Sequence, residues 1–244
     1  RYNRQMLLNG WGEEGQLRLK NAKVTIAGTG GLGCPAAIYL AAAGVGCLQL
    51  LDNDQFELSN LNRQILGWES DIGRPKTVAV REKLLALNSD IEVEARQVEI
   101  TSNNICDLIR DSNVVVDAMD NWKTRFIINK GCVESRVPLV HAGIHGMSGQ
   151  ITTIIPGKGP CLSCILPREP PEIRPFPVVG ATPGLLAMLQ VMETIKLIVG
   201  IGKPLVGKLL IFSGEDMSFS TVEVLRNPQC PVCTGIRDPS NPDI

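Results

Sequence analysis

The hydrophobic pattern of the chain is a series of short apolar runs separated by longer segments with helical spacing. Residues 22–27, 47–52 (CLQLLD) and 113–118 (NVVVDA) are continuous apolar runs, the texture of strands buried on both faces. Between and after them, residues 32–43, 75–88 (PKTVAVREKLLALN), 101–110 (TSNNICDLIR) and 121–135 carry helical spacing, as do residues 1–21 ahead of the first strand. Pro75 is expected in the first turn of its helix, where a missing N–H costs nothing. Thr101 or Ser102 is expected to cap the 101–110 helix. Residues 91–100 (IEVEARQVEI) alternate at period two and predict a half-exposed strand.

The texture changes at Pro138. Residues 138–146 and 149–157 read as consecutive strands with no helix between them, and 208–225 as a hairpin turning on Gly214-Glu215-Asp216. The most apolar stretch, 185–200, is interrupted at every third residue by Gln190, Glu193 and Lys196. That spacing predicts an amphipathic helix with one wet stripe and excludes a membrane span. Residues 166–184 are proline-dense and predict neither helix nor strand; a loop of that length inside a domain is usually functional or mobile. Together these elements predict an α/β fold, a Rossmann-like doubly wound parallel sheet extended by antiparallel strands. A single domain is expected over residues 1–235, with a nucleotide-binding half at 22–137, a second half at 138–235 and a flexible tail at 236–244.

Composition removes several function classes. Lys+Arg number 24 against 25 Asp+Glu, so no basic excess points to nucleic acid and no acidic run to a solvating tail. Aromatic residues make up only 4% of the chain, so the core is aliphatic. Eight cysteines with nothing resembling a signal peptide predict a reducing, cytoplasmic home, and the start at Arg1 without Met suggests a trimmed leader.

The candidate chemistry begins at Gly28-x-Gly30-x-x-Gly33, placed between a buried strand and a small-residue helix. Gly30 and Gly31 lack the Cβ atoms that would keep backbone N–H groups from a phosphate. Asp52 ends the second strand, where it would accept ribose hydroxyls. On this motif alone an NAD-dependent oxidoreductase fits. The stretch LDNDQFELSNLNRQ (51–64) shifts the balance, because it sets Asp52, Asp54, Asn60, Asn62 and Arg63 on the ligand side of the sheet. Lys76 follows at a helix N-terminus, where a cation opposes the helix dipole unless an anion draws it in. Asp120 and Asn121 lie beyond the end of the 113–118 strand; they suit a metal-bound polyphosphate better than a nicotinamide ring, although capping alone would explain them. Cys161-x-x-Cys164 and Cys230-x-x-Cys233 predict a tetrahedral four-cysteine site with zinc its usual occupant; a redox dithiol is the alternative. Cys34, Cys47, Cys106 and Cys132 fall within predicted elements and are expected to be buried. His141 and His145 have no Ser or Cys beside them in a nucleophile setting, so no hydrolase triad is supported.

Taken in order, RYNRQ, GTGGLG, LLDNDQFELSNLNRQ, GRPK, DAMDN, GMSGQITT, both cysteine pairs and LQVMETIK resemble the ThiF/MoeB/HesA group of ubiquitin-activating-enzyme-like adenylyltransferases. The resemblance runs from Arg1 to about Gly235 and is strongest to the molybdopterin-synthase and thiamine-pathway branches. It implies that the glycine turn binds ATP with Mg2+ and that no hydride moves. The expected reaction is adenylation of the C-terminal Gly-Gly carboxylate of a small ubiquitin-fold sulfur carrier. By position, Gly28, Gly30, Gly31, Gly33, Asp52, Ser59, Asn60, Asn62 and Asn121 would form the nucleotide site. Asn60, Arg63 and Lys76 would hold the triphosphate, and Asp120 the Mg2+. Arg4 resembles an arginine finger acting on the neighbouring subunit, which implies a homodimer. Residues 138–235 become the carrier-binding and zinc half. Relatives that adenylate tRNA-linked carboxylates or short peptides leave those substrates as alternatives. The 166–184 loop holds no cysteine, so no thioester or persulfide on this chain is expected.

Overall fold

The computed structural model describes residues 1–171 and 177–236. The predicted flexible tail therefore lies almost wholly outside the described residues, as does the centre of the proline-dense loop. Strands β1 (Lys23–Ala27), β2 (Cys47–Asp52), β3 (Glu92–Gln97), β4 (Val114–Asp117) and β5 (Leu139–His145) run parallel. Strands β6 (Ser148–Ile154), β7 (Lys208–Ser213) and β8 (Ser218–Glu223) continue the same sheet antiparallel. The order is β3-β2-β1-β4-β5-β6-β7-β8, so the winding reverses between β1 and β4. Ligands of open α/β sheets bind at that reversal, beyond the strands' carboxyl ends.

Helices cover both faces of the parallel strands. Helices α2 (Gly12–Lys20), α3 (Gly33–Ala43), α4 (Lys76–Leu87) and α8 (Ala181–Val199) pack on the face that presents Val24, Ile26, Leu48 and Leu50. Helices α5 (Ile105–Ile109), α6 (Trp122–Ser135) and α7 (Leu162–Ile165) pack on the face that presents Ala27, Leu51, Val115 and Leu139. Burial on both sides is why β1, β2, β4 and β5 are largely apolar, whereas the edge strand β3 stays partly exposed. Leu50 is fully enclosed, and truncating it to Ala would cost about 2–5 kcal/mol.

Five local expectations are corrected. Residues 1–21 form two helices, α1 (Asn3–Met6) and α2, because Gly10 and Gly12 adopt positive φ between them. Pro75 stands outside α4 as its N-cap with extended ψ, and Lys76 is the first helical residue. The 101–110 helix is reduced to α5, because Asn104 Oδ1 accepts the Thr101 N–H and holds that backbone in a turn; neither Thr101 nor Ser102 caps it. Helix α8 begins at Ala181, inside the segment expected to lack structure.

The Gln190–Glu193–Lys196 stripe is not wet: Gln190 and Glu193 are buried against the sheet, Lys196 is half-buried, and Met192 is the exposed side. Gln190 Nε2 donates to the carbonyls of Asp117 (2.7 Å) and Val140 (3.1 Å). Glu193 accepts from Thr153 Oγ1 and from the Leu205 N–H, and it pairs with Lys196. A helix with α8's length and hydropathy could cross a membrane, but here it is a core element locked to β4, β5 and β6 by these polar contacts.

Candidate functional site

A cleft of about 620 Å³ opens at the reversal, floored by the ends of β1, β4 and β5. Its glycines divide by role. Gly28 takes φ 95° and abuts the Ala118 carbonyl, which a Cβ would approach to 2.7 Å. Gly33 is closed by the Gly28 carbonyl and serves packing, whereas Gly30 has only Gln64 Nε2 at 3.6 Å and lies open to the cleft; Gly31 also lines it, against the Arg63 side chain. Asp52 joins this turn to β2: its Oδ2 accepts from Thr29 N (2.7 Å) and Thr29 Oγ1 (2.9 Å), and its Oδ1 accepts from Asp54 N.

The crossover from β2 to α4 supplies two cations. Lys76 is buried, with Nζ 3.0 Å from Asp54 Oδ2 at the cleft wall. Arg63 Nη1 donates to Ser59 O (3.0 Å) and Asn62 Oδ1 (2.9 Å), which fixes the guanidinium from below. Asn60 is buried, and its Oδ1 accepts the Glu57 N–H at the start of a 3-10 turn. Ser59, Asn60 and Asn62 thus brace the loop and do not line the cleft, while Arg63 and its neighbour Gln64 do. A buried carboxylate, Asp71, clamps this loop onto α4 through Lys83 and Arg74, and Lys83 also lies 4.3 Å over the Trp68 ring. Burial works against ionising Asp71, but the ammonium and guanidinium beside it outweigh that and hold its carboxyl below the usual range.

Beyond β4, Asp120 and Asn121 both line the cleft. Asn121 Oδ1 accepts the Thr124 N–H as the N-cap of α6, and Asp120 is exposed beside it. Under them lies a buried set absent from the sequence-based candidates. Asp117 Oδ2 meets His141 Nδ1 at 2.6 Å, and Arg125 donates through Nε and Nη2 to the Met119 carbonyl while stacking on Trp122. Burial pushes His141 below its usual pKa despite the carboxylate beside it. Trp122, Arg125, Ser148 and Gln150 all line the cleft. Arg125 comes four positions after Asn121, the last residue of DAMDN, but in sequence it has the signature of an ordinary surface cation on a helix.

Arg4 sits elsewhere. Tyr2 and Gln5 anchor α1 at the carboxyl end of α3, where Gln5 Nε2 donates to Ala43 O (2.7 Å). The glycine turn is at the other end of that helix, about 16 Å away at 1.5 Å per residue. Arg4 is exposed there and does not reach the cleft of its own chain.

The two cysteine pairs converge on the far face of α6. Sγ separations are 3.9 Å (Cys161–Cys164), 3.6 Å (Cys161–Cys230) and 3.4 Å (Cys164–Cys233), with all four sulfurs within 4.8 Å of one another. A tetrahedral ion with metal–sulfur bonds of about 2.3 Å sets its sulfurs about 3.8 Å apart, so the tetrad fits zinc. Asn129 of α6 holds the first knuckle by accepting the Leu162 N–H (2.9 Å), and Arg226 latches the second through the Cys233 and Ile236 carbonyls. Burial raises the Cys161 thiol; it also opposes ionisation of Cys230, but N–H groups of Cys233 and Val232 bring that thiol down to about 7. Of the remaining cysteines, Cys34 and Cys132 are buried as expected, and burial pushes Cys34 up to about 12. Cys47 and Cys106 are only half-buried, which corrects the expectation for them; Cys47 lies at the open start of β2 beside Glu94.

The ThiF family pattern matches residues 2–232. The sulfur carrier protein adenylyltransferase of Thermus thermophilus is 42% identical over 96% of this chain and 90% of its own length. The adenylyltransferase and sulfurtransferase MOCS3 of Anopheles gambiae is 42% identical over 96% of this chain, which spans 54% of that protein. Among solved structures, E. coli MccB crystallised with ATP superposes with a TM-score of 0.79 at 30% identity, over 91% of this chain and 68% of that one.

Proposed function

Because this chain belongs to the ThiF family, we propose that it is an ATP-dependent adenylyltransferase acting on the C-terminal Gly-Gly carboxylate of a small ubiquitin-fold sulfur carrier. In this reaction a carboxylate oxygen attacks the α-phosphorus, the bond to the bridging oxygen of the β-phosphate breaks, and pyrophosphate leaves with that electron pair. The products are carrier acyl-AMP and pyrophosphate. Displacement at phosphorus requires alignment and charge neutralisation more than proton transfer. The observation that carries the reading is the convergence of an open glycine turn, two braced cations and an exposed carboxylate on one cleft at the sheet reversal.

In this reading Gly30 and Gly31 admit the phosphates to backbone N–H groups, and Asp52 meets the ribose. Lys76 and Arg63 neutralise the triphosphate, and Asp120 holds Mg2+, which would supply further neutralisation of phosphate charge. Cys161, Cys164, Cys230 and Cys233 hold a structural zinc with no open position. Residues 22–137 serve the nucleotide and 138–235 the carrier and the metal. Arg4 reaches a second copy's cleft in a homodimer, which agrees with Leu7 and Leu8 being 71% and 54% exposed beside it. Eight unpaired thiols suit a reducing cytoplasm.

The test is ATP–pyrophosphate exchange stimulated by a recombinant carrier ending in Gly-Gly, beside calorimetric titrations of MgATP and NAD. Exchange that depends on the carrier's free carboxylate, with MgATP binding and no NAD binding, is expected. Tight NAD binding without ATP binding would restore the oxidoreductase alternative, and exchange driven by a short peptide in place of the carrier would reassign the substrate.

A further inference from the structure

We propose that Arg125 receives the substrate carboxylate and that Asp117 and His141 position its guanidinium for this task; the inference rests on the adenylation reading above. Lys76 and Arg63 both enter from the crossover loop, beside the glycine turn. Arg125 comes from the first turns of α6, on the β4 side of the reversal, and lies against β5: its Nη1 lies 3.0 Å from where a Cβ on Gly143 would stand. The bare backbone of Gly143 is what leaves room for the guanidinium at the cleft floor.

The state of that guanidinium is unusual. A buried arginine beside a buried carboxylate ordinarily closes into a two-pronged pair. Here Arg125 Nε stays 3.9 Å from Asp117 Oδ2, because His141 Nδ1 holds that oxygen at 2.6 Å and the Met119 N–H holds Oδ1 at 3.1 Å. The Asp117 main-chain carbonyl is in turn fixed by Gln190 of α8. Nε and Nη2 of Arg125 are spent on the Met119 carbonyl, and Nη1 has no acceptor among the described residues. Trp122 below and Gly143 above hold the plane open toward the cleft. His141 therefore competes with Arg125 for Asp117 and keeps a cation incompletely neutralised. It stands at the β4–β5 end of the cleft, one strand over from the glycine turn that follows β1, where an attacking carboxylate can be held beside the phosphates.

The experiment measures KM for the Gly-Gly carrier, kcat for pyrophosphate release and Kd for MgATP in the full chain and in Arg125→Gln, His141→Leu and His141→Asn. Glutamine keeps a donor for the Met119 carbonyl, and asparagine keeps an N–H at the Nδ1 position. Arg125→Gln is expected to raise KM for the carrier at least tenfold with Kd for MgATP within twofold. His141→Leu, which frees Asp117 to capture the guanidinium, shifts KM severalfold in the same direction, and His141→Asn returns it to within twofold of the parent. A folded Arg125→Gln with unchanged KM, or MgATP affinity falling in parallel, overturns the proposal. If Arg125→Gln does not fold, the two His141 variants decide: equal behaviour of Leu and Asn overturns it. Absence of carrier-dependent exchange in the parent protein defeats the adenylation reading itself and this inference with it.

Discussion

Gly33 and Gly28 meet so closely that a Cβ on Gly33 would stand 1.9 Å from the Gly28 carbonyl oxygen. Gly30, two residues from Gly28, has nothing nearer than 3.6 Å. Gly33→Ala is therefore expected to destabilise the fold by about 3 kcal/mol. Gly30→Ala should melt within about 0.5 kcal/mol of the parent yet bind MgATP about tenfold more weakly, because its methyl occupies the approach to the turn's N–H groups. Thermal melts paired with calorimetry separate the two; equal stability loss in both would remove the distinction between packing and ligand glycines.

Lys76 is expected to act chiefly on the transition state. Its Nζ is already paired with Asp54 Oδ2 at 3.0 Å, so the ground state gains little from a further anion. Lys76→Ala should lower the adenylation rate about 100-fold or more while changing MgATP affinity far less. Single-turnover rates set against titrated affinities test this, and parallel losses would make Lys76 a plain binding group.

The Asp71 clamp predicts a particular acid limb of stability. Because the folded carboxyl titrates below its unfolded value, its contribution is complete above the unfolded pKa of about 3.9 and fades as pH falls through the lower, folded value. Melting temperature should decline below about pH 4, and Asp71→Asn should flatten that decline while costing about 3 kcal/mol near neutrality. An unchanged slope in the variant would place the acid sensitivity elsewhere.

One zinc per chain should copurify with the protein. Cys233→Ser should lose it and melt about 10 °C lower or more, since metal affinity at such a site is folding free energy. A metal-free parent melting at the same temperature as the variant would favour the dithiol alternative.

No covalent carrier adduct is expected on Cys34 or Cys132, because burial raises both thiols and leaves them poor nucleophiles. Mass spectrometry of a non-reducing reaction is the check: pyrophosphate release without an adduct supports adenylation alone. A thioester or acyl disulfide that disappears with one Cys→Ser change would refute it.

The buried parallel strands are legible in the sequence because enclosure on both faces demands unbroken apolar runs; β2 has the expected bounds, 47–52. The cysteine tetrad is legible because ligand spacing is local even when the pairs are distant. Gln190 and Glu193 mislead because every-third-residue polarity looks the same whether it faces water or a carbonyl. Only the fold brings Asp117, Val140 and Thr153 opposite them. Arg125 escapes notice for a related reason: its burial depends on Met119 and Trp122 closing around it, and no periodicity records that.

The cysteine tetrad also imposes an order in time. Cys164 and Cys233 are separated by 69 positions, so the first knuckle leaves the ribosome well before its partners. At about 5–20 residues per second that interval is roughly 3–14 s, during which α8, β7 and β8 are made and the early thiols stand as an open two-sulfur site. A chain that stops short of Cys230 carries every cleft-lining residue named above and yet cannot complete this closure. The second pair, Cys230 and Cys233, therefore reaches the first only after every cleft-lining residue has been synthesised.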